Sequence, residues 1–383
     1  MRIAIYHNTL WAKYKGGVFG RLYSIAQAAG DQVRVVHIAE TEGQRIGLGK
    51  VDLSYHQYPY HLLFTGSYDG QSFLRKSWSL ARDIVRHPAD VTILPCYDLP
   101  EYWVMLFTCM LLGRTRAVFS DSTLRDRPGN RPRSGLKEAA KRFFFARCQG
   151  FFTYGIRSKE YLLSYGAPDD KIHFRCQAAA LPHEYSSAKV LERYERHPPE
   201  GTLRFLYVGR LSPEKGLEDL LSAFREVHAG HPDSRLEIAG NGPLKDSLIQ
   251  CAKDLGIGDG VTFLGSRNID ELAELYMASD VMVLPSHSEP WGLVANEALS
   301  YGCPVVISDA CGCAPAVVKE NVTGFGFHAG NVTELREAMA AAAAMRPRRL
   351  EVARECIELI STFTPERAAE QILEGCQRIL ARS

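Results

Sequence analysis

Short apolar runs alternate with longer stretches of helical periodicity along the whole chain. In the first half the runs fall at residues 3–6, 33–38, 91–94, 117–119 and 151–154, with helix-compatible stretches at 19–29, 71–86, 135–148 and 158–165. Runs of this length, bounded by turn residues and separated by amphipathic segments, predict a parallel, doubly wound α/β sheet. The rhythm breaks over the polar, proline-containing residues 183–200 and then restarts, with apolar runs at 203–209, 236–240, 261–265, 281–284 and 304–307. Each of these is closed by Gly, Pro or Ser, the turn chemistry expected at the carboxyl edge of a strand. The pattern therefore predicts two α/β domains, 1–182 and 201–364, joined by a linker at 183–200 and followed by a last helix within 365–383. Open sheets of this kind place ligands at their carboxyl edges, so a cleft between the domains is the expected site.

Composition narrows the compartment and the partners. At 383 residues with 46% hydrophobic content, the chain has enough apolar material for two ordinary cores. No apolar run approaches the roughly 20 residues of a membrane span, and the N-terminus leads straight into the first strand, so the expected compartment is the cytoplasm. The ten cysteines are scattered without a CxxC pair, and read as buried free thiols. Charge is uneven: residues 1–180 hold 25 Lys/Arg against 15 Asp/Glu, and the remainder 20 against 29. Between residues 114 and 147, ten basic residues face three acidic ones and interleave with Phe143, Phe144 and Phe145. That mixture suits either peripheral contact with an anionic membrane or a solvated helix face over a buried Phe stripe. No nucleic-acid motif accompanies it.

The residues that carry chemistry sit at strand ends. Gly209-Arg-Leu-Ser-Pro-Glu-Lys-Gly216 leaves a strand with two cations, Arg210 and Lys215, which can meet one diphosphate and take the place of a divalent metal in neutralising it. Asn241 and Gly242, in Gly240-Asn-Gly-Pro243, form a tight turn that permits close ligand approach, and Arg267 ends a loop placed to contact a base. Glu289-Pro-Trp-Gly-Leu-Val-Ala-Asn-Glu297 brackets a helix start near Trp291 or Gly292 with two carboxylates. Its free N–H groups, from Trp291 through Gly292 and Leu293 to Val294, suit a phosphate, and Glu289 and Glu297 suit sugar hydroxyls. Neither a third dinucleotide-fingerprint glycine nor a GxxxxGK[ST] loop is present, which removes the main support for nicotinamide chemistry and P-loop phosphate transfer. In the first domain Gly16-Gly17 opens a helix where a ligand could come near the backbone, although a structural turn explains it nearly as well. His7 ends the first strand and fits either the cleft or packing. Asp121 follows the strand at 117–119 and fits either orientation of an acceptor hydroxyl or an Asx-turn.

Residues 200–330 resemble the retaining GT-B glycosyltransferases of the family-four type, through Val208-Gly-Arg-Leu-Ser-Pro-Glu-Lys-Gly216, Gly240-Asn-Gly-Pro243, Phe263-Leu-Gly265, Ser288-Glu-Pro-Trp-Gly-Leu-Val-Ala-Asn-Glu-Ala298 and Gly302-Cys-Pro-Val-Val-Ile-Ser308. The first half resembles the family only through Gly16-Gly17 and the overall rhythm. The resemblance implies two Rossmann-like domains facing across a cleft, with the last helix returning to the first domain. It implies that Arg210 and Lys215 hold the donor diphosphate, that Glu297 binds the ribose hydroxyls, and that Glu289 with the backbone of residues 291–294 holds the transferred sugar and its phosphate. It further implies front-face transfer without a covalent intermediate on Glu289. Where many relatives carry a sugar-contacting histidine this chain reads Phe119-Ser-Asp-Ser122, making Asp121 a substitution candidate.

The expected function is metal-independent, retaining transfer of a sugar from a nucleoside-diphosphate donor, of UDP or GDP type, to a saccharide or lipid-linked acceptor. No cofactor beyond that donor is expected. The expected setting is cell-surface polysaccharide or glycolipid synthesis at the inner face of the membrane. The competing expectations are an epimerase acting on the nucleotide-sugar and a non-catalytic nucleotide-sugar-binding protein.

Overall fold

The computed structural model describes residues 1–43, 51–125, 135–197 and 201–382. Contacts divide the chain into two units, the first comprising Met1–Ser122, Asn130–Ala180 and Phe363–Ser383, the second Thr123–Gly129 and Leu181–Thr362.

Unit one is built on a seven-stranded parallel sheet. Its strands are β1 (Arg2–Thr9), β2 (Gln32–Thr41), β3 (Tyr60–Ser67), β4 (Val91–Leu94), β5 (Arg116–Phe119), β6 (Gly150–Phe152) and β7 (Ile172–His173), in spatial order β3-β2-β1-β4-β5-β6-β7. The central strands are buried on both faces, which is why β4 and β5 are mostly apolar, with Thr92 and Arg116 the exceptions. Helices α1 (Lys13–Ala28), α2 (Phe73–Arg86), α3 (Pro100–Leu111), α4 (Gly135–Ala146) and α5 (Ile156–Ser164) form the crossovers. Buried residues of α2, α3, α4 and α5 share one core, around Leu80, Met105, Phe144 and Leu162. A second core on the other side of the sheet joins Phe19 and Leu22 of α1 to Ala368, Ile372 and Cys376 of the last helix, Pro365–Ala381. That helix is tightly fitted: a Cβ at Gly375 would stand 2.5 Å from the Phe152 ring and one at Gly150 2.1 Å from Ile379.

Unit two carries a six-stranded parallel sheet of β8 (Arg204–Val208), β9 (Arg235–Ala239), β10 (Val261–Gly265), β11 (Val281–Leu284), β12 (Val305–Ser308) and β13 (Gly324–Phe327), in order β10-β9-β8-β11-β12-β13. The order reverses between β8 and β11, the switch point where open α/β sheets bind ligands. The helices are α6 (Ser187–Arg196), α7 (Leu217–Gly230), α8 (Lys245–Asp254), α9 (Ile269–Ala278), α10 (Leu293–Ser300), α11 (Ala314–Val317), α12 (Val332–Ala343) and α13 (Arg349–Ile360), with α14 being the Pro365–Ala381 helix of unit one.

The expected linker is corrected by α6. Ser186 caps it through its hydroxyl, and it buries Val190 and Tyr194, with Tyr194 donating to the Tyr301 carbonyl at 2.9 Å. Two apolar positions among charged ones were too few to show as a helical stripe. The basic stretch at 114–147 is also not one basic face. Arg114 donates to the Ile84 carbonyl at 2.7 Å, Arg116 is buried, Arg125 pairs with Asp309 at 2.6 Å and Lys141 donates to the Tyr161 hydroxyl at 3.0 Å. Arg127, Arg131 and Arg133 lie outside the described residues. Lys137, Arg142 and Arg147 remain exposed on or beside α4, and of the three phenylalanines Phe144 and Phe145 are core while Phe143 is exposed. No helix among the described residues is long and apolar enough to cross a membrane.

Candidate functional site

Three loops at the carboxyl edge of unit two are tied together by their backbones. Gly209 N–H donates to the Ala239 carbonyl at 3.0 Å, Leu211 N–H to Asn241 at 3.0 Å, and Gly240 N–H to Gly265 at 2.8 Å. Main-chain hydrogen bonds therefore join the loops after β8, β9 and β10. Only glycine fits at position 240, whose φ is +148° and whose missing Cβ would stand 1.8 Å from the Gly209 carbonyl oxygen. Asn241 is held over this junction by an Nδ2 hydrogen bond to Ser266 at 2.9 Å, and Gly242 packs against the backbone of Leu211.

Arg210 precedes a short 3₁₀ turn, Pro213–Lys215, that Lys215 closes, and neither cation rides on the following helix, α7. Between them Glu214 accepts from Ser212 Oγ at 2.6 Å and from Arg210 at 3.2 Å. Burial works against ionisation of Glu214, but the Ser212 hydroxyl, the backbone and the two cations outweigh it and hold the carboxyl below its usual range. Its main-chain carbonyl accepts from His287 N–H at 2.8 Å, which fastens this turn to the segment leading to Glu289. Beneath it, the Tyr207 hydroxyl donates to the Arg210 carbonyl at 2.9 Å. Burial, then Glu289 and Glu214, raise the Tyr207 phenol far above its ordinary value, so it stays a neutral donor.

Lys215 reaches Glu289 at 2.6 Å although 74 residues separate them, and both side chains are largely shielded, at 13% and 18% exposure. Glu289 precedes α10, which begins at Leu293 with Gly292 as its N-cap. Gly292 has φ +98°, and a Cβ there would meet Leu284 Cδ2 at 2.8 Å and Cys313 Sγ at 3.2 Å. Leu293 and Val294 begin the helix, where the first N–H groups have no intrahelical acceptor and present a partial positive charge. Trp291 is buried and donates its Nε1–H to Asn296 Oδ1 at 3.0 Å, so its side chain supports the turn. Glu297, one turn into α10, accepts from the Tyr276 hydroxyl of α9 at 2.9 Å. Arg267 pairs with Glu271 at 3.3 Å beside a capping box on Asn268.

The structure thus gathers Arg210, Lys215, Asn241, Gly242, Glu289, Gly292, Leu293, Val294 and Glu297 on one sheet edge, with Arg267 on the neighbouring loop after β10. Sequence reasoning missed Glu214, Tyr207 and Tyr276, which organise it. Glu214 lay inside the quoted motif, whereas nothing in the sequence marks Tyr276 as a partner of Glu297.

In unit one, Gly17 lies in the first turn of α1, where a Cβ would meet nothing closer than 3.8 Å, so packing does not demand glycine. His7 donates from Nδ1 to the Thr9 carbonyl at 3.0 Å and packs edge-on against Phe19 and His37. Burial, then His37 and Lys15, keep it neutral well below the usual histidine range. Asp121 stands just past β5 with its carbonyl accepting from Ser158 Oγ at 3.2 Å, and its charge acts on Lys15.

Two parallel-sheet α/β domains are the fold of solved GT-B glycosyltransferase structures. Residues 191–358, within unit two, match the family described as glycosyl transferases group 1. An uncharacterized glycosyltransferase of Methanocaldococcus jannaschii is 40% identical over 126 residues, covering 33% of this chain and 32% of that protein. The chain spans between about a third and half the length of the curated relatives it matches. Among solved structures, a sucrose-phosphate synthase from Thermosynechococcus elongatus matches with a TM-score of 0.74 at 18% identity, covering 100% of both chains. A protein of Anabaena solved with UDP and glucose matches at 0.69 and 20% identity, over 99% of this chain and 100% of that one.

Proposed function

We propose that this protein is a retaining, metal-independent glycosyltransferase that moves a sugar from a nucleoside-diphosphate donor, of UDP or GDP type, to a saccharide or lipid-linked acceptor. The observation that carries the reading is the Lys215–Glu289 pair at 2.6 Å, set between the Arg210 loop and the start of α10. A diphosphate at this edge meets the Arg210 guanidinium, the Lys215 ammonium and the N–H groups of Leu293 and Val294, which together offset the charge that grows on it as the glycosidic bond breaks. Lys215, already paired with Glu289, then lies between phosphate and sugar, and orients the Glu289 carboxylate for sugar hydroxyls. Glu297, held by Tyr276, takes the ribose hydroxyls. Gly17, whose small size packing does not explain, leaves the start of α1 open to a ligand, and Asp121 orients the acceptor hydroxyl.

The test is transfer measured with a panel of nucleotide-sugars and a membrane or saccharide extract as acceptor. Arg210→Ala and Glu297→Ala should each lower kcat/KM for the donor about a hundredfold while the fold persists, the loss of one contact worth about 3 kcal/mol. Wild-type turnover in a folded Arg210→Ala variant contradicts the reading. Donor epimerised in the absence of any acceptor replaces it with an epimerase.

The setting proposed is peripheral contact with the inner, anionic face of a membrane, in cell-surface polysaccharide or glycolipid synthesis. Its support is on the outer face of unit one, where α2, α3 and α4 expose Leu74, Trp78, Phe107, Leu111, Leu136 and Phe143 among Arg75, Arg82, Arg86, Lys137 and Arg142. Co-sedimentation with phosphatidylglycerol vesicles should fall when Trp78→Glu and Leu111→Glu are combined. Equal binding of the double variant, or equal binding to neutral vesicles, rejects this placement.

A further inference from the structure

Lys15 is the most unusual side chain of unit one. It is 1% exposed, and its Nζ has no hydrogen-bond partner. The ammonium lies over the Phe119 ring at 4.4 Å and the Tyr154 ring at 4.8 Å, with Tyr14 and Phe19 at 5.8 and 6.0 Å. Ring faces attract a cation but give it no hydrogen-bond acceptor to replace the water that burial removes. Asp121 after β5 acts only in part against that loss, while burial pushes the Cys176 thiol after β7 up to about 12 and keeps it uncharged, and His7 at the end of β1 is kept neutral. Burial accordingly pulls the ammonium down to about 8.

The position is as informative as the isolation. Lys15 stands on the first turn of α1, Phe119 ends β5, and Tyr154 and Cys176 follow β6 and β7, so four strand-to-helix junctions converge on one carboxyl edge. Two further buried polar atoms at these junctions also have no partner, Ser120 Oγ and Gln177 Oε1. Unpaired buried polar groups of this kind are rare and mark a place completed by something else. The ammonium and the Ser120 hydroxyl can donate to an anion, and the Gln177 amide oxygen can accept from a hydroxyl carried beside it.

We propose that the carboxyl edge of unit one is an anion site in which Lys15 receives a phosphate or carboxylate carried by the acceptor. The inference rests on the transferase reading for the word acceptor, and adds to it that the acceptor is anionic. Lys15 is then a specificity residue, kept at a cost in stability because its partner arrives with the ligand.

The experiment measures binding without turnover, so its failure is separate from failure of the transferase reading. Glycerol 1-phosphate, glycerate and glycerol are titrated calorimetrically into the full chain carrying Arg210→Ala, which weakens anion binding in unit two. At least one anionic probe should bind ten times or more tighter than glycerol, and which one does distinguishes phosphate from carboxylate. Adding Lys15→Met should erase that preference while leaving the thermal midpoint equal or higher, since a buried unpaired charge has been replaced by an apolar chain of similar length. Lys15→Gln should behave likewise. Equal binding of all three probes overturns the proposal, as does a preference that survives Lys15→Met. Loss of the fold in both variants also overturns it, because the ammonium would then be a packing element.

Discussion

Replacing Gly240 by alanine adds one methyl group at the place where the site's loops meet. At φ +148° an L-residue is strained, and the new Cβ would begin 1.8 Å from the Gly209 carbonyl oxygen, against the roughly 3 Å at which such contacts start to be tolerated. The backbone must give by more than an ångström, and the retreat falls on Gly209, whose neighbour is Arg210. Strain of this kind costs about 1–3 kcal/mol, so the unfolding free energy of unit two should drop by that amount and its urea midpoint should fall at unchanged slope. A misplacement of about 1 Å in a positioning group costs on the order of a hundredfold in rate, so turnover should fall far more than stability explains. Urea denaturation followed by tryptophan fluorescence gives the first quantity, and initial rates well below the midpoint give the second. An alanine variant with unchanged midpoint and unchanged turnover would refute the claim that backbone contact between these loops sets the site.

Acid should destabilise unit one through histidines buried as neutral rings. Burial, reinforced for His37 by His56, lowers His37 to about 3 and His56 to about 4, and burial lowers His173 to about 4. The unfolded chain binds these protons near pH 6.5 and the native one does not, so the stability they confer is present above that pH and is lost as pH falls. By pH 5.5 each should cost about 1.4 kcal/mol; urea midpoints that do not change between pH 7.5 and 5.5 would exclude it. Tyr276→Phe removes the donor that fixes Glu297 at 2.9 Å, and a charge-assisted hydrogen bond of about 1.5–3 kcal/mol predicts a donor KM raised about tenfold or more with kcat nearly unchanged. A KM that stays put while kcat falls would instead place Glu297 at the reacting bond.

The strand ends of unit two were legible because motif residues and turn residues coincide there: Arg210, Lys215, Glu289 and Gly292 lie in contiguous stretches at the ends of β8 and β11. What the sequence could not show is contact at a distance. Lys215 meets Glu289 and Tyr276 meets Glu297 only because β8 and β11 are neighbours and α9 packs beside α10, which is a property of strand order. Unit one was less legible. Strand β3 is half-exposed at the sheet edge and lacks a clean apolar run, and the short β7 carries two residues. Helix α3 was hidden too, because its Pro100 start follows Leu99, whose side chain makes no cap. Lys15 looked like a surface lysine in a Tyr-Lys-Gly-Gly run, and only the arrival of Phe119 and Tyr154 over it reveals its isolation.

The central claim is that unit two's loop set binds a nucleoside diphosphate through Arg210. Calorimetric titration of UDP, GDP and ADP into the wild-type chain and into Arg210→Ala tests it most directly. One of the three should bind the wild type measurably, and the variant should bind that same nucleotide at least tenfold more weakly. Binding of none of them, or equal binding by a folded Arg210→Ala variant, would contradict the account.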